Sequence, residues 1–232
     1  MRLMIRFGVL SFVVHAAMAQ APPGAAEILK RVEEVYKDVS QYDLVTTLTL
    51  HDPDSGRDVS GSMRIVYKAP DKYREEAKGT FLALGQDASG PPIDEGIIVY
   101  DGVKISAYMP KSNEYRVYTI PNIPRDSRPE DVDIFEGIGP YRHALEAFPT
   151  ARLQREERLE TSAGPVDCFV LGATGKEGNT AIWVDKSNYH VLRLDAGVEG
   201  YRTSVMLNVK LNGVFSDDLF KFVPPAGARK LE

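Results

Sequence analysis

The feature that most constrains this chain is a two-residue alternation of apolar and polar side chains. It recurs in short runs from Tyr42 to Leu211, with a few turn-forming residues between runs. In Tyr42–Leu50, Leu44, Leu48 and Leu50 stand opposite Thr47 and Thr49; in Val59–Lys68, Met63, Ile65 and Tyr67 stand opposite Ser62, Arg64 and Lys68. Successive side chains of a strand point to opposite faces, so such runs predict strands with one dry and one wet face. Further strands are expected at Lys72–Lys78 (a charged strand), Gly96–Tyr100, Val103–Met109, Glu114–Ile120, Arg152–Thr161, Val166–Ala173, Thr180–Asp185, His190–Asp195 and Arg202–Leu211. Most separators are short and rich in Gly, Pro, Asn, Asp and Ser: His51-Asp-Pro-Asp-Ser-Gly-Arg57, Pro110-Lys-Ser-Asn113, Ser162-Ala-Gly-Pro165, Thr174-Gly-Lys-Glu-Gly178 and Lys186-Ser-Asn188, with Asp101-Gly102 as a two-residue hairpin signal. Gly79–Glu95 reads as a longer loop. Short connections make the sheet mainly antiparallel, and an open sheet of about ten strands twists and curls. The expected fold class is α+β, mainly β: an incomplete antiparallel β-barrel whose dry concave face must be covered by helices.

Two segments can supply the cover. Ala25–Ser40 places Ile28, Leu29, Val32, Val35, Tyr36 and Val39 on one face of a helix, with charged residues on the other. The Pro-rich insert Pro121–Pro149 opens on Ser127-Arg-Pro-Glu130, a capping box with an early proline. A short helix there would carry Val132, Ile134, Phe135 and Ile138. Gly139-Pro140 breaks it, and a second short helix would turn Tyr141, Ala144, Leu145 and Phe148 inward. Such a pair suits a lid over an apolar surface, and it equally suits a packed helical hairpin.

The first residues carry Arg2 and Arg6, then a short apolar core through Met18 with Ala17-Met18-Ala19 at its end, which is the pattern of a secretory signal peptide over residues 1–19. The core is shorter than the roughly 20 residues a membrane helix needs. The expected mature protein is periplasmic, a single domain from Gln20 to Glu232 and a monomer. Without Arg2 and Arg6 it carries 26 basic and 33 acidic side chains, a net charge of −7. That balance argues against nucleic acid as a partner. Cys168, the only cysteine, lies in the apolar run Val166–Leu171 and reads as a small buried hydrophobe.

No motif of catalysis or cofactor binding stands out. His51, His143 and His190 fall in a turn, a helix and a strand with no metal-ligand spacing, and no HExxH or GxSxG occurs. Gly172-Ala-Thr-Gly-Lys176 lacks the glycine spacing and the hydroxyl residue of a phosphate loop, and the turn after His51 places its glycine one position early for a calcium loop. Glu156-Glu157 and Asp217-Asp218 are adjacent pairs that a strand would split between its faces. The expectation is a protein with no cofactor, no metal and no catalysis.

Four stretches resemble the LolA family of periplasmic outer-membrane lipoprotein carriers and the wider superfamily that includes LolB and the sensor RseB. They are the opening helix running into a strand, Ile28–Leu50; Gly61-Ser-Met-Arg-Ile-Val-Tyr-Lys-Ala-Pro70 with Tyr73-Arg74, Ile98-Val-Tyr-Asp-Gly102 and Ile105–Tyr115; Ala181-Ile-Trp-Val-Asp185 with Val191-Leu-Arg193; and the tail Asp218-Leu-Phe-Lys-Phe-Val-Pro-Pro-Ala-Gly227. The resemblance implies a half-barrel with helices on its concave face that binds the acyl chains of lipoproteins or other lipids, taking them from an inner-membrane donor to an outer-membrane acceptor. The residues expected to line that space are Leu48, Met63, Ile65, Tyr67, Ile105, Met109, Ile134, Phe135, Ile138, Leu145, Ile182 and Val184. The chain departs from the carriers at Ala69, where they hold an arginine proposed to secure the lid. An RseB-like regulator that binds a partner's periplasmic segment is the alternative the same resemblance allows.

Overall fold

The computed structural model describes residues 23–53, 56–79, 95–119, 137–175, 178–198 and 201–231. The expected signal peptide, the interior of the Gly79–Glu95 loop and the first helix of the insert, with Ile134 and Phe135, lie outside the described residues. One helix, α1 (Ala25–Tyr36), opens the chain. The strands β1 (Gln41–Asp52), β2 (Arg57–Lys68), β3 (Lys72–Gly79), β4 (Glu95–Tyr100), β5 (Lys104–Met109) and β6 (Glu114–Thr119) follow. Two single-turn helices, α2 (Gly139–Arg142) and α3 (Ala144–Ala147), precede β7 (Arg152–Thr161), β8 (Gly164–Gly175), β9 (Gly178–Asp185), β10 (Val191–Val198) and β11 (Tyr201–Leu211). A 3₁₀ turn, Asp217–Phe220, and a two-residue strand, β12 (Arg229–Lys230), end it.

All twelve strands join one sheet in the order β12-β6-β5-β4-β3-β2-β1-β11-β10-β9-β8-β7. Two antiparallel meanders, β1–β6 and β7–β11, therefore meet where β1 pairs with β11, Tyr42 opposite Leu211 and His51 opposite Arg202. Only β12 runs parallel to its neighbour, β6. The expected strands are all present, and β12 is an addition that two residues are too short to announce by alternation. The β4–β5 hairpin turns one residue later than expected. Gly102, at φ +95°, and Val103 form its tip, while the Asp101 carboxylate accepts hydrogen bonds from the Val103 and Lys104 backbone N–H groups at 2.9 and 2.8 Å. Glycine at the first tip position suits a turn of this hand.

The first helix ends at Tyr36, four residues earlier than the apolar spacing suggests, because the sheet recruits the backbone beyond it. The Ser40 carbonyl accepts from Ala69 N at 2.7 Å and the Gln41 carbonyl from Asn212 N at 2.7 Å. Ile28, Leu29, Val32, Tyr36 and Val39 are nonetheless buried together, as the spacing predicts. The second expected helix is interrupted at His143 (φ −128°, ψ 45°). Tyr141, Ala144 and Phe148 face inward, but Leu145 is 38% exposed, and its backbone N–H bonds to the Glu33 carboxylate at 2.9 Å.

The tail after β11 forms a strap across the outer face of the first meander. Lys68 and Lys72 both hold the Asp217 carboxylate, at 2.6 and 2.7 Å, and Arg74 donates to the Leu219 carbonyl at 3.3 Å. Phe220 is buried, and the Phe222 ring lies 5.5 Å from Tyr115 and 6.2 Å from Tyr108. The strap finishes as β12 against β6, where Asn113 O and Tyr115 O accept from Arg229 N and Leu231 N. Val66 and Val99, outward-facing by register, are 1% exposed, as expected for positions under such a cover.

Candidate functional site: the inner face of the sheet

Residues directly opposite across an antiparallel ladder share a face, so the register sorts every strand side chain. One inner row runs Leu48, Val205, Leu194, Ile182, Leu171, Leu153 across six strands. On the other side of β1 a second row runs Leu44, Ile65, Glu75, Ile98, Ala107, Arg116. A third row is nearly all aromatic: Tyr42, Tyr67, Tyr73, Tyr100, Ile105, Tyr118. The inner face packs on α1, α2 and α3 in one continuous core that joins Tyr42, Leu44, Ile65, Leu171 and Ile182 to Ile28, Val32, Tyr36, Tyr141 and Phe148.

The residues expected to line a binding space divide by burial. Ile65, Ile138, Ile182 and Val184 are 0–3% exposed and sealed in this core. Leu48, Met63, Tyr67, Ile105 and Met109 share the inner face but are only half-buried. Leu145 leaves the set, because the break at His143 rotates it outward. Ile138 approaches the sheet because Gly137 comes before it. A Cβ on Gly137 would lie 2.6 Å from Leu44 Cδ2 and 3.1 Å from Ile65 Cδ1, so the chain entering α2 lies directly on that pair.

Two residues on this face are not apparent from apolar patterning. Gly137 is one. The other is Glu75, the one carboxylate in the Leu44 row. Within the charged run Lys72–Lys78 it looks like its neighbours, yet Tyr73, Glu75 and Ala77 alternate inward while Lys72, Arg74 and Glu76 point out. The Tyr73 hydroxyl donates to the Glu75 carboxylate. Burial, and then the Glu75 charge, push the Tyr73 phenol far above its usual range. Burial likewise raises Tyr36 to about 12, although its hydroxyl oxygen accepts from Val191 N at 3.1 Å, and it raises Tyr141 as well. These phenols are neutral, so hydroxyls and hydrocarbon make up the middle of the face around Glu75, while Arg116 ends the same row and Glu114 and Glu156 stand opposite Met109 and Phe169. Among the described residues no group of three or more His, Cys, Asp or Glu side chains could hold a metal ion, and no helix is long and apolar enough to cross a membrane. Cys168 is fully buried on the outer side, as expected.

The described residues form a single curled sheet, antiparallel in every pairing but β12–β6 and open at its edges, with α1, α2 and α3 packed on its inner face. No protein-family profile matches the chain. An uncharacterized protein of Methanocaldococcus jannaschii is 26% identical over 211 residues, covering 88% of this chain and 53% of that protein, so the chain spans about half the length of the curated relative it matches. Similar solved structures include LprF from Mycobacterium bovis (10% identity, 82% of this chain and 93% of that one, TM-score 0.49) and a LolA superfamily protein from Nitrosomonas europaea (14%, 87% and 99%, TM-score 0.33). MucB of Pseudomonas aeruginosa, in its complex with MucA, is similar at 13% identity over 85% of this chain and 60% of that one, TM-score 0.41.

Proposed function

We propose that this protein is exported and binds acyl chains of lipoproteins or other lipids between the inner face of its sheet and its helices, carrying them through the cell envelope without chemical change. The observation that carries the reading is the burial split on one face. Ile65 and Ile182 are sealed, while Leu48, Met63, Ile105 and Met109 continue the same surface half-buried. A face that needed only to stabilise the fold would gain by closing over these side chains, since each buried methylene contributes about 0.8 kcal/mol. Apolar surface left partly open beside a finished core fits a site that an apolar ligand completes. The sealed part of the core limits how much of that ligand can be buried, and so keeps affinity compatible with release.

The test is native mass spectrometry of the mature protein isolated from its own envelope fraction, with solvent extraction of bound material. A co-purifying lipid or acylated protein supports the carrier. A protein that arrives empty and also fails to take up lipid or a palmitoylated peptide refutes it.

A further inference from the structure

The outer face of the second meander carries a groove that has no part in the carrier reading. Its floor is one cross-strand row of small side chains and open backbone: Arg152, Gly172, Ala181, Asp195, Ser204 and Thr49 are successive partners from β7 to β1. The next outer row contributes Gly197 and Arg202. Missing side-chain bulk in the middle of the sheet leaves a trench of about 1540 Å³. Gln154 lies down into it, since a Cβ on Gly172 would meet the Gln154 amide nitrogen at 1.8 Å.

The groove is cationic on an acidic protein. Arg152, Arg193 and Arg202 line it against one carboxylate, Asp195, whereas the whole chain has a net charge of −5. Asp195 holds Arg193 through two bonds, at 2.8 and 2.7 Å. Arg152 and Arg202, at opposite ends, are exposed and have no carboxylate partner among the described residues. They stand four strand spacings apart, about 19 Å, the reach of about six residues of extended polypeptide. The volume exceeds the roughly 300–1,000 Å³ of small-molecule pockets. Among the described residues the one ring in its lining is the His51 imidazole, which is paired with Asp58 at 2.8 Å, and the hydroxyls of Thr49 and Ser204 with the Gln154 amide suit a peptide backbone. We propose that this groove docks an extended acidic segment of a partner protein, with its carboxylates on Arg152 and Arg202.

The chain supplies its own reporter. Trp183, its only tryptophan, lies under Arg193, whose guanidinium carbon is 4.6 Å from the ring centroid. The experiment titrates the full chain with a fluorescein-labelled octapeptide alternating glutamate and threonine, reading anisotropy, and with the unlabelled peptide, reading Trp183 emission. The glutamine counterpart and polygalacturonate serve as competitors. Expected are saturable binding at least tenfold tighter than that of the glutamine peptide, weakening with salt, and a change in Trp183 emission. The double reversal R152E/R202E lowers affinity at least tenfold while uptake of a fluorescent fatty acid is unchanged, and S204Y does the same by filling the floor with the charges intact. The proposal fails if the glutamate peptide does not bind, if the glutamine peptide binds equally, if R152E/R202E binds as well as the parent, or if polygalacturonate binds in preference to the peptide. Fatty-acid uptake is read separately, so loss of the carrier reading leaves this result standing, and the reverse holds too.

Discussion

Tyr36 is where the first helix and the second meander are joined by a single atom. Its buried hydroxyl oxygen accepts the Val191 N–H, a backbone donor at the irregular start of β10 where the β9–β10 register shifts. Tyr36→Phe keeps the ring and strands that donor, so we expect a loss of about 1–3 kcal/mol in denaturant unfolding, with the inner core otherwise unchanged. Cys168 makes the opposite point. Burial first, then the Asp185, Asp167 and Glu157 carboxylates, push its thiol up to about 11. The thiolate is the reactive form, so a thiol reagent at pH 8 should label Cys168 only as fast as the protein unfolds; rapid stoichiometric labelling of the native protein would contradict the buried assignment. His190, against Tyr36 at 6.2 Å, is held below its usual value by burial, opposed by Asp185. A depressed value means the unfolded chain takes up the proton first. Its contribution is therefore complete above about pH 6.5, the free value, and is lost as pH falls through the lower folded value. His190→Gln should flatten the stability profile in that window.

At the scale of elements, the C-terminal strap and the helices show what pattern reading captures. Alternation located the strands because β periodicity survives whatever the sheet packs against. The tail motif was legible only as a resemblance; the structure gives it a physical reason, with Phe220 buried and Phe222 set against the Tyr108 and Tyr115 rings on the face where Val66 and Val99 are also buried. Phe220→Ala should cost about 3–5 kcal/mol, and a chain ending before Gly213 should expose the β6 edge and aggregate, visible in light scattering. The salt links of the strap titrate with Asp217, which Lys68 and then Lys72 lower to about 2. A lowered carboxylate stabilises above its free value and loses that contribution as pH falls through the folded one, so strap release should appear between about pH 4 and 2. Where reading by period failed, a local break intervened. The 3.6-residue spacing of Tyr141, Ala144, Leu145 and Phe148 assumes one continuous helix, and the turn at His143 sends Leu145 outward. Glu75 escaped for the complementary reason: the charge of its neighbours hides which face it occupies.

For the whole molecule, the two faces carry different chemistry: hydrocarbon and hydroxyl predominate inside, with Glu75 and Arg116 among them, and charge predominates outside. Leu48→Lys or Met109→Lys would place an ammonium on the half-buried inner surface, at positions outside the sealed core and the side chains packed on it. Either should abolish fatty-acid uptake while leaving the unfolding midpoint nearly unchanged, as followed by fluorescence and circular dichroism. With the parent protein, shortening the ligand by two carbons should weaken binding about tenfold, so long as the removed methylenes were buried.

The place where β1 meets β11 has a bearing on how the chain comes to be folded at all. The links there are between residues far apart in the chain; Ser40 N and the Asn212 side chain bond across 172 positions. Contacts of that span form late, because the loop between them must first be closed at an entropic cost. The first meander can pair with itself as soon as it emerges, but its opening strand keeps one unpaired edge until β11 is available. A nascent chain of this design stays incomplete, and therefore easily threaded, for as long as its last long strand is still being made.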